Sequence, residues 1–397
     1  MRIKLYYDPY TRRWVQNESE DSIKWGHNFL EVTFSGSIHE KLLPFNLAVN
    51  GKVVGPIVGV LAGEGEHYEL IGNPGTFLRL HHSLSSSGAL CVVFTPSSLH
   101  ETGLNGYIYF DRISKWVKAE TPLPNIVYNR IPFRKMEKAE SFQDVLAFLH
   151  KQSIPYFNPF FFSKWNTFRW LWNNPELRHH LPLTKSLTSI QALIEMLHIY
   201  KEVYIKPSEG SKGKGIFKID SKSSGEILLL SKGNQHSFAN LNDLWEAIRS
   251  HTASSPYIIQ QAIQSDRING KRYDLRLLVH SVATEKYQVS GIGVRMAGEQ
   301  EITTHIPNGG TIYPYEQIKH RIDEEKIDLI VNEIGKQLTK ETNSFIGEFS
   351  IDLGKSADNH YYIYEVNSKP MVFDERSIKN KGLENLTKLL IMRASTP

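Results

Sequence analysis

The segment HYYIYEVN ends in Glu365 and Asn367, and FSIDLG upstream supplies Asp352. Alternate side chains of a strand share a face, so Glu365 and Asn367 point the same way, roughly 7 Å apart. A turn near Asp358 and Asn359 would fold the segment into an antiparallel hairpin with Asp352 opposite Glu365. Two carboxylates and an amide oxygen are hard ligands of the kind magnesium takes, with waters and substrate phosphates in its other positions. The same residues would equally serve as the polar rim of a half-buried strand.

A second cluster has the chemistry to hold phosphates. EVYIKPSEGSKGKGIFKI reads as strand, glycine loop, strand: Val203 and Ile205 alternate with Tyr204 and Lys206, and Pro207 closes the first strand. Gly210, Ser211, Gly213 and Gly215 form a loop whose backbone N–H groups can approach phosphate oxygens closely, and Lys206, Lys212 and Lys214 add positive charge. It is neither a Walker A loop nor a dinucleotide fingerprint, because the Gly-Lys-Ser/Thr spacing and a following helix pattern are both missing. A surface hairpin would carry the same residues. In SPYIIQQAIQS an apolar run leads into Gln260, Gln261, Ala262 and Ile263. Free backbone groups beside an apolar edge would suit an adenine ring.

KRYDLRLLVHS puts Arg272, Asp274 and Arg276 on one face of a strand, with Tyr273, Leu275 and Leu277 on the other. This is a surface charge ladder or a frame that holds an arginine against phosphate. Arg295, followed by IPNGGT with Asn308, adds a cation and an amide ahead of the carboxylates.

In this order, Lys164, Lys206 with its glycine loop, IIQQAI, YDLR, Arg295, NGG, SIDL and EVN resemble the ATP-grasp superfamily. With YNRIPFR, FNPFFFSKW and NSKP they look most like the YheC/YheD endospore coat-associated family, over about residues 120 to 390. The resemblance implies an α/β (α+β) ATP-grasp fold, two α+β subdomains gripping a nucleotide behind a β-rich N-terminal domain. It implies boundaries at 1–158, 159–262 and 263–397. By the same resemblance Lys164 and Lys206 contact the α- and β-phosphates, and Gly210 to Gly215 close over them. Gln260 to Ile263 carry the adenine contacts, and Arg276 and Arg295 lie near the γ-phosphate and acyl group. Asp352, Glu365 and Asn367 hold magnesium, with manganese as the alternative ion. The implied activity is ATP-dependent ligation of a carboxylate to an amine or thiol through an acyl phosphate. The amine or carboxylate would come from an amino acid, a peptide or a coat protein. A nucleotide-binding coat component without ligation is the other implied role. Gln260-Gln261 departs from the acidic residue common at the linker, although amides accept the same hydrogen bonds without charge.

The elements that must position these residues are only partly legible. At 397 residues the chain fits two or three domains. Residues 1 to about 115 read as β-rich. ESFQDVLAFLHKQ reads as an amphipathic helix capped by Ser141. FNPFFFSKWNTFRWLWNN reads as a helix with Lys164 near its start and Phe168, Leu171 and Trp172 packed into the core. Residues 316–342 read as a helix with Ile322, Ile327, Ile330, Ile334 and Leu338 inward.

A net charge of +4 with interspersed signs gives no reason to expect nucleic acid as partner. Cys91, the one cysteine, forms no intrachain disulfide and reads as a small buried hydrophobe. The start MRIKLYYDPYTRRW lacks the apolar core of a signal peptide, and no apolar run approaches the roughly 20 residues that span a bilayer. The expectation is a cytoplasmic protein without membrane insertion, with the spore coat, implied by the resemblance, as a later destination. The neighbouring pairs His81-His82 and His179-His180 are not expected to share an ion, and zinc-type spacings are missing.

Overall fold

Burial at every second residue shapes the first strands: Ile3, Leu5 and Tyr7 of Arg2–Asp8 turn inward while Arg2 and Lys4 face out. Six such strands within residues 2–54 close into a barrel. The computed structural model describes residues 1–18, 21–66, 68–210, 213–253, 255–298, 304, 306 and 309–395. Contacts divide it into two units, Met1–Phe160 with Leu383–Pro397, and Phe161–Gly382.

Beyond the barrel, the first unit contains a seven-stranded sheet. Its inner strands Ile57–Leu61 and Leu90–Phe94 run parallel and are buried at every position. Continuous apolar runs are what a sheet covered on both faces requires. Cys91 lies there, fully buried, and burial pushes its thiol up to about 12, so it packs as a small hydrophobe.

The β-rich reading of residues 1 to 115 passed over one helix, Pro74–Ser86. Asn73 caps it by accepting from the Thr76 N–H, proline occupies its first turn, and Phe77, Leu80, His81 and Leu84 form its buried face. That 3.6-residue period was present in the sequence, between more conspicuous strands. Helix Glu140–Lys151 begins with Ala139 as N-cap, not Ser141, and has no side-chain cap.

The second unit contains two six-stranded sheets. In one, strand Glu202–Pro207 lies between Tyr257–Gln261 and Phe217–Ser221, all antiparallel. In the other, Lys271–Ala283 lies between Lys286–Met296 and Glu348–Lys355, and the last of these pairs with Tyr361–Asn367. The helix expected over 316–342 starts later, at Glu324–Thr342. Asp323 caps it by accepting from the Lys326 N–H, and two short 3₁₀ turns occupy 315–321. Ile322 is therefore the buried residue just before the cap, beside buried Ile327 in the first turns, the positions of a hydrophobic staple.

The aromatic helix Lys164–Trp172 also differs from expectation. Leu171 and Thr167 supply its buried side. Trp172 is 38% exposed; Phe168 instead stacks on Trp165 and packs at a tilt against Trp172, with centroids 5.9 and 5.4 Å apart.

Candidate functional site

The hairpin that brings the carboxylates together is present: Asp352 faces Glu365 across antiparallel strands, and Ser350 faces Asn367. The register slips between Asp352 and Leu353, so that Tyr364 and Glu365 together oppose a single residue of the partner strand. Such a bulge re-aims side chains. Here it leaves room for the Tyr364 ring only because residue 354 is glycine: a Cβ there would come within 2.0 Å of the Tyr364 hydroxyl. Tyr364 shares a 2.9 Å hydrogen bond with Ser265 Oγ.

Arg276 aligns with Asp352 on the neighbouring strand, and its Nε lies 4.0 Å from Asp352 Oδ1. Its guanidinium also sits over the Phe373 ring, 5.5 Å from the centroid. Lys164 reaches the same place from the first turn of its helix. Its ammonium lies 3.0 Å from Glu365 Oε1 and donates to the Gly210 carbonyl at 2.7 Å. The helix start is fastened by the Lys164 N–H, which donates to the Ser208 carbonyl at 2.8 Å, just past the strand that carries Lys206. Lys206 donates to Gln260 Oε1 at 2.7 Å and lies over the rings of Tyr204 and Tyr364, at 5.1 and 6.0 Å.

These neighbours set the charge states. Burial pushes Asp352 up to about 6; Arg276 offsets part of that and Glu365 adds to it. Burial opposes ionisation of Glu365 too, but Lys164, by charge and hydrogen bond, holds its carboxyl below the ordinary value. Burial brings Lys206 down to about 8, with Glu365 pulling the other way and Lys164 reinforcing the fall. The result is one ionised carboxylate, one that titrates within reach of neutral pH, and an ammonium that releases its proton unusually easily.

Arg295 is less available. It is 6% exposed, paired in bidentate fashion with Glu375, and has Asp374 at 3.7 Å. The linker is also more committed than expected. The Gln260 amide bridges Lys206 and Thr184, at 3.0 Å from the Thr184 hydroxyl. The Gln261 N–H donates to the Leu183 carbonyl at 2.9 Å and the Ala262 N–H to the Glu202 carbonyl at 3.1 Å, so these two backbone donors are not free for an adenine. Beside them opens a cavity of about 750 Å³, lined by Glu202, Asp220, Lys222, Ala262, Ile263 and Tyr362 among others. Lys164, Lys206, Asp352 and Glu365 do not line it, so it reaches the linker and stops short of the charged cluster.

Gly213 and Gly215 adopt positive φ, and a Cβ at Gly215 would meet the Tyr257 hydroxyl at 2.7 Å. Ser211, Lys212 and Asn308 lie outside the described residues. Tyr204, Tyr364, Ser350 and Glu375 are the neighbours that sequence reasoning missed. Alternation could have placed Ser350 with Asp352; nothing local signals the bulge or the partner of Arg295.

The donor set suits a hard divalent cation. Two carboxylates and an amide share one sheet face, and the buried Ser350 hydroxyl facing Asn367 has no hydrogen-bond partner among the described residues. Asp352 has its one ion pair among the described residues at 4.0 Å, which leaves its oxygens open for coordination.

Comparison with known proteins adds a lineage. The family model described as YheC/D like ATP-grasp matches residues 153–396. The endospore coat-associated protein YheD of Bacillus subtilis (strain 168) is 28% identical over 355 residues, 84% of this chain and 78% of that protein. YheC of the same organism is 17% identical over 295 residues, 71% of this chain and 81% of that protein. Among solved structures, D-alanyl-alanine synthetase A from Vibrio cholerae O1 biovar eltor str. N16961 superposes with a TM-score of 0.50 at 15% identity. The match covers 86% of this chain and 98% of that one, a likeness of fold.

Proposed function

This chain belongs to the YheC/D-like ATP-grasp family, and from that premise we propose that it is an ATP-dependent ligase joining a carboxylate to an amine or thiol through an acyl phosphate. The observation that carries the reading is the charged cluster: Asp352 opposite Glu365, Lys164 at 3.0 Å from Glu365 and Arg276 at 4.0 Å from Asp352. In this reading residues 159–262 and 263–397 are the two halves of the nucleotide grip. Asp352, Glu365 and Asn367 would hold magnesium, with manganese as a substitute, and the ion would supply positive charge that offsets the charge of the phosphates.

The chain's own groups do the rest. Lys164 exchanges its contact with Glu365 for an α- or β-phosphate oxygen, and Lys206 does the same from Gln260. Gly210, Ser211, Gly213, Gly215 and Asn308 offer N–H or amide groups to the phosphates, and Gln260 to Ile263 flank the adenine. Arg276 and Arg295 offset charge on the phosphoryl group as it passes to the substrate carboxylate. Such transfer is catalysed mainly by position and electrostatics. An amino acid, a peptide or a coat protein supplies the acceptor, and the names of the relatives YheD and YheC suggest a spore coat setting.

A second reading, a nucleotide-binding coat component without ligation, draws on Arg295, whose charge Glu375 already neutralises. ADP release by purified protein, with and without pools of amino acids, short peptides and coat extract, separates the two. Ligation predicts acceptor-dependent ADP, lost in Arg295→Ala while much of the ATP affinity remains, a transition-state effect. Tight Mg-ATP binding with no ADP above background in any pool would leave the structural role.

A further inference from the structure

Two adjacent histidines on helix Pro74–Ser86 occupy opposite environments. His81 is fully buried, while the His82 side chain is 52% exposed. The His81 ring packs edge-on against Phe45, Tyr109 and Trp116, with centroids 5.8, 5.4 and 6.2 Å away. Among the described residues, neither of its ring nitrogens has a hydrogen-bond partner. A neutral imidazole carries one N–H and one lone pair. Buried polar atoms left without a partner are exceptional and call for a cause such as an ion.

The surroundings supply one. Asp111, in the turn after strand Gly103–Phe110, brings its carboxylate to 3.7 Å from His81 Nε2 and 3.1 Å from His82 Nε2. The first distance is too long for a hydrogen bond. Adjacent helical side chains leave the axis about 100° apart, yet both imidazoles converge on this one carboxylate. The ligand atoms of all three residues lie within 4.8 Å of one another. Two ligands of a tetrahedral zinc ion, each about 2.0–2.1 Å from the metal, stand roughly 3.3–3.4 Å apart. The separations from Asp111 bracket that value.

We propose that His81, His82 and Asp111 form a site for a borderline divalent cation of the zinc class, with a fourth position open to solvent. Two imidazoles and a carboxylate select such an ion over magnesium, which prefers oxygen ligands. His82 and Asp111, 52% and 64% exposed, give the ion its entry. The site lies in the first unit, whereas Asp352, Glu365 and Asn367 belong to the second.

The test uses the full chain without a polyhistidine tag, stripped with a chelator and titrated with Zn²⁺ against a competing chromophoric chelator. Excess Mg²⁺ keeps the oxygen-ligand site occupied. The expected result is one Zn²⁺ bound per chain, weakened at least tenfold by His82→Gln and by Asp111→Asn but not by Asp352→Asn. Cobalt substituted for zinc should give the intense visible bands of a four-coordinate ion, lost in the same two variants. Both of these side chains are exposed, so their melting curves serve to confirm folding. No bound Zn²⁺ in the wild type, or binding indifferent to both substitutions, would overturn the proposal.

Discussion

Two carboxylates of the second unit, Asp266 and Asp352, are both largely withdrawn from water and both surrounded by cations, yet their surroundings do opposite things. Asp266 is saturated: Arg321 Nη2 lies 2.7 Å from each of its oxygens, Lys355 donates at 3.2 Å and Tyr273 at 3.0 Å. Burial opposes its charge, but the Arg267 N–H, Lys355 and Tyr273 outweigh it and hold the carboxyl below its ordinary value. Asp352 has Arg276 at 4.0 Å and an acidic neighbour in Glu365, and it rises to about 6. A structural ion pair spends all its lone pairs inside the protein. The proposed metal site leaves those of Asp352 largely unpaired and tolerates a carboxylate that is reluctant to ionise.

The comparison breaks first at Asp266. Asp266→Ala leaves Lys355, 6% exposed at its side chain, as an uncompensated buried charge. It should lower unfolding stability by about 3 kcal/mol, toward the lower end for broken buried pairs because Arg321 is partly solvated. Denaturant melts measure this, and a loss under about 1 kcal/mol would mean that the pair is not structural. Asp352→Asn should do the reverse, leaving the melt unchanged or slightly raised while weakening Mg-dependent ATP binding by roughly a hundredfold, as loss of a charged ligand should. Calorimetric titration with and without Mg²⁺ reads that difference.

The pH dependence sharpens the contrast. In the proposed site, Asp352 loses its proton to hold a cation and Lys206 keeps its proton to attract phosphate. Mg-ATP affinity should therefore peak between about 6 and about 8. On either side it should fall by up to about tenfold per pH unit. Stability runs differently. Asp352, whose folded value is raised, disfavours the folded state above about 6, and that penalty is relieved as pH falls toward 3.8. Asp266, whose folded value is depressed, stabilises above its ordinary 3.8 and loses this contribution as pH falls through its folded value. Between pH 7 and 5, affinity should drop while Asp266 continues to support the fold. The smallest effect belongs to Tyr364→Phe, which removes only the hydrogen bond to Ser265 and should cost about 1 kcal/mol. A larger loss of ATP affinity than of stability would make the hydroxyl a ligand-binding group.

Local pattern determined a good deal of this molecule. Period-two alternation put Glu365 and Asn367 on one face and aligned Arg272, Asp274 and Arg276, a turn near Asp358 and Asn359 brought Asp352 toward Glu365, and the strands around the glycine loop stand where proline and alternating Val203 and Ile205 mark them. The order of charged motifs pointed to the family that the comparison bears out. Such features repeat over a few residues, and backbone geometry is fixed on that scale. Packing between distant segments decided the rest. The bulge at Tyr364 depends on the space above Gly354, the approach of Lys164 to Glu365 on a helix fastened to Ser208, and the burial of Arg295 on Glu375. The convergence of His81 and His82 needs a turn from another hairpin to bring Asp111 to them. No sequence period encodes these meetings, because each requires two separately folded elements to arrive at one place.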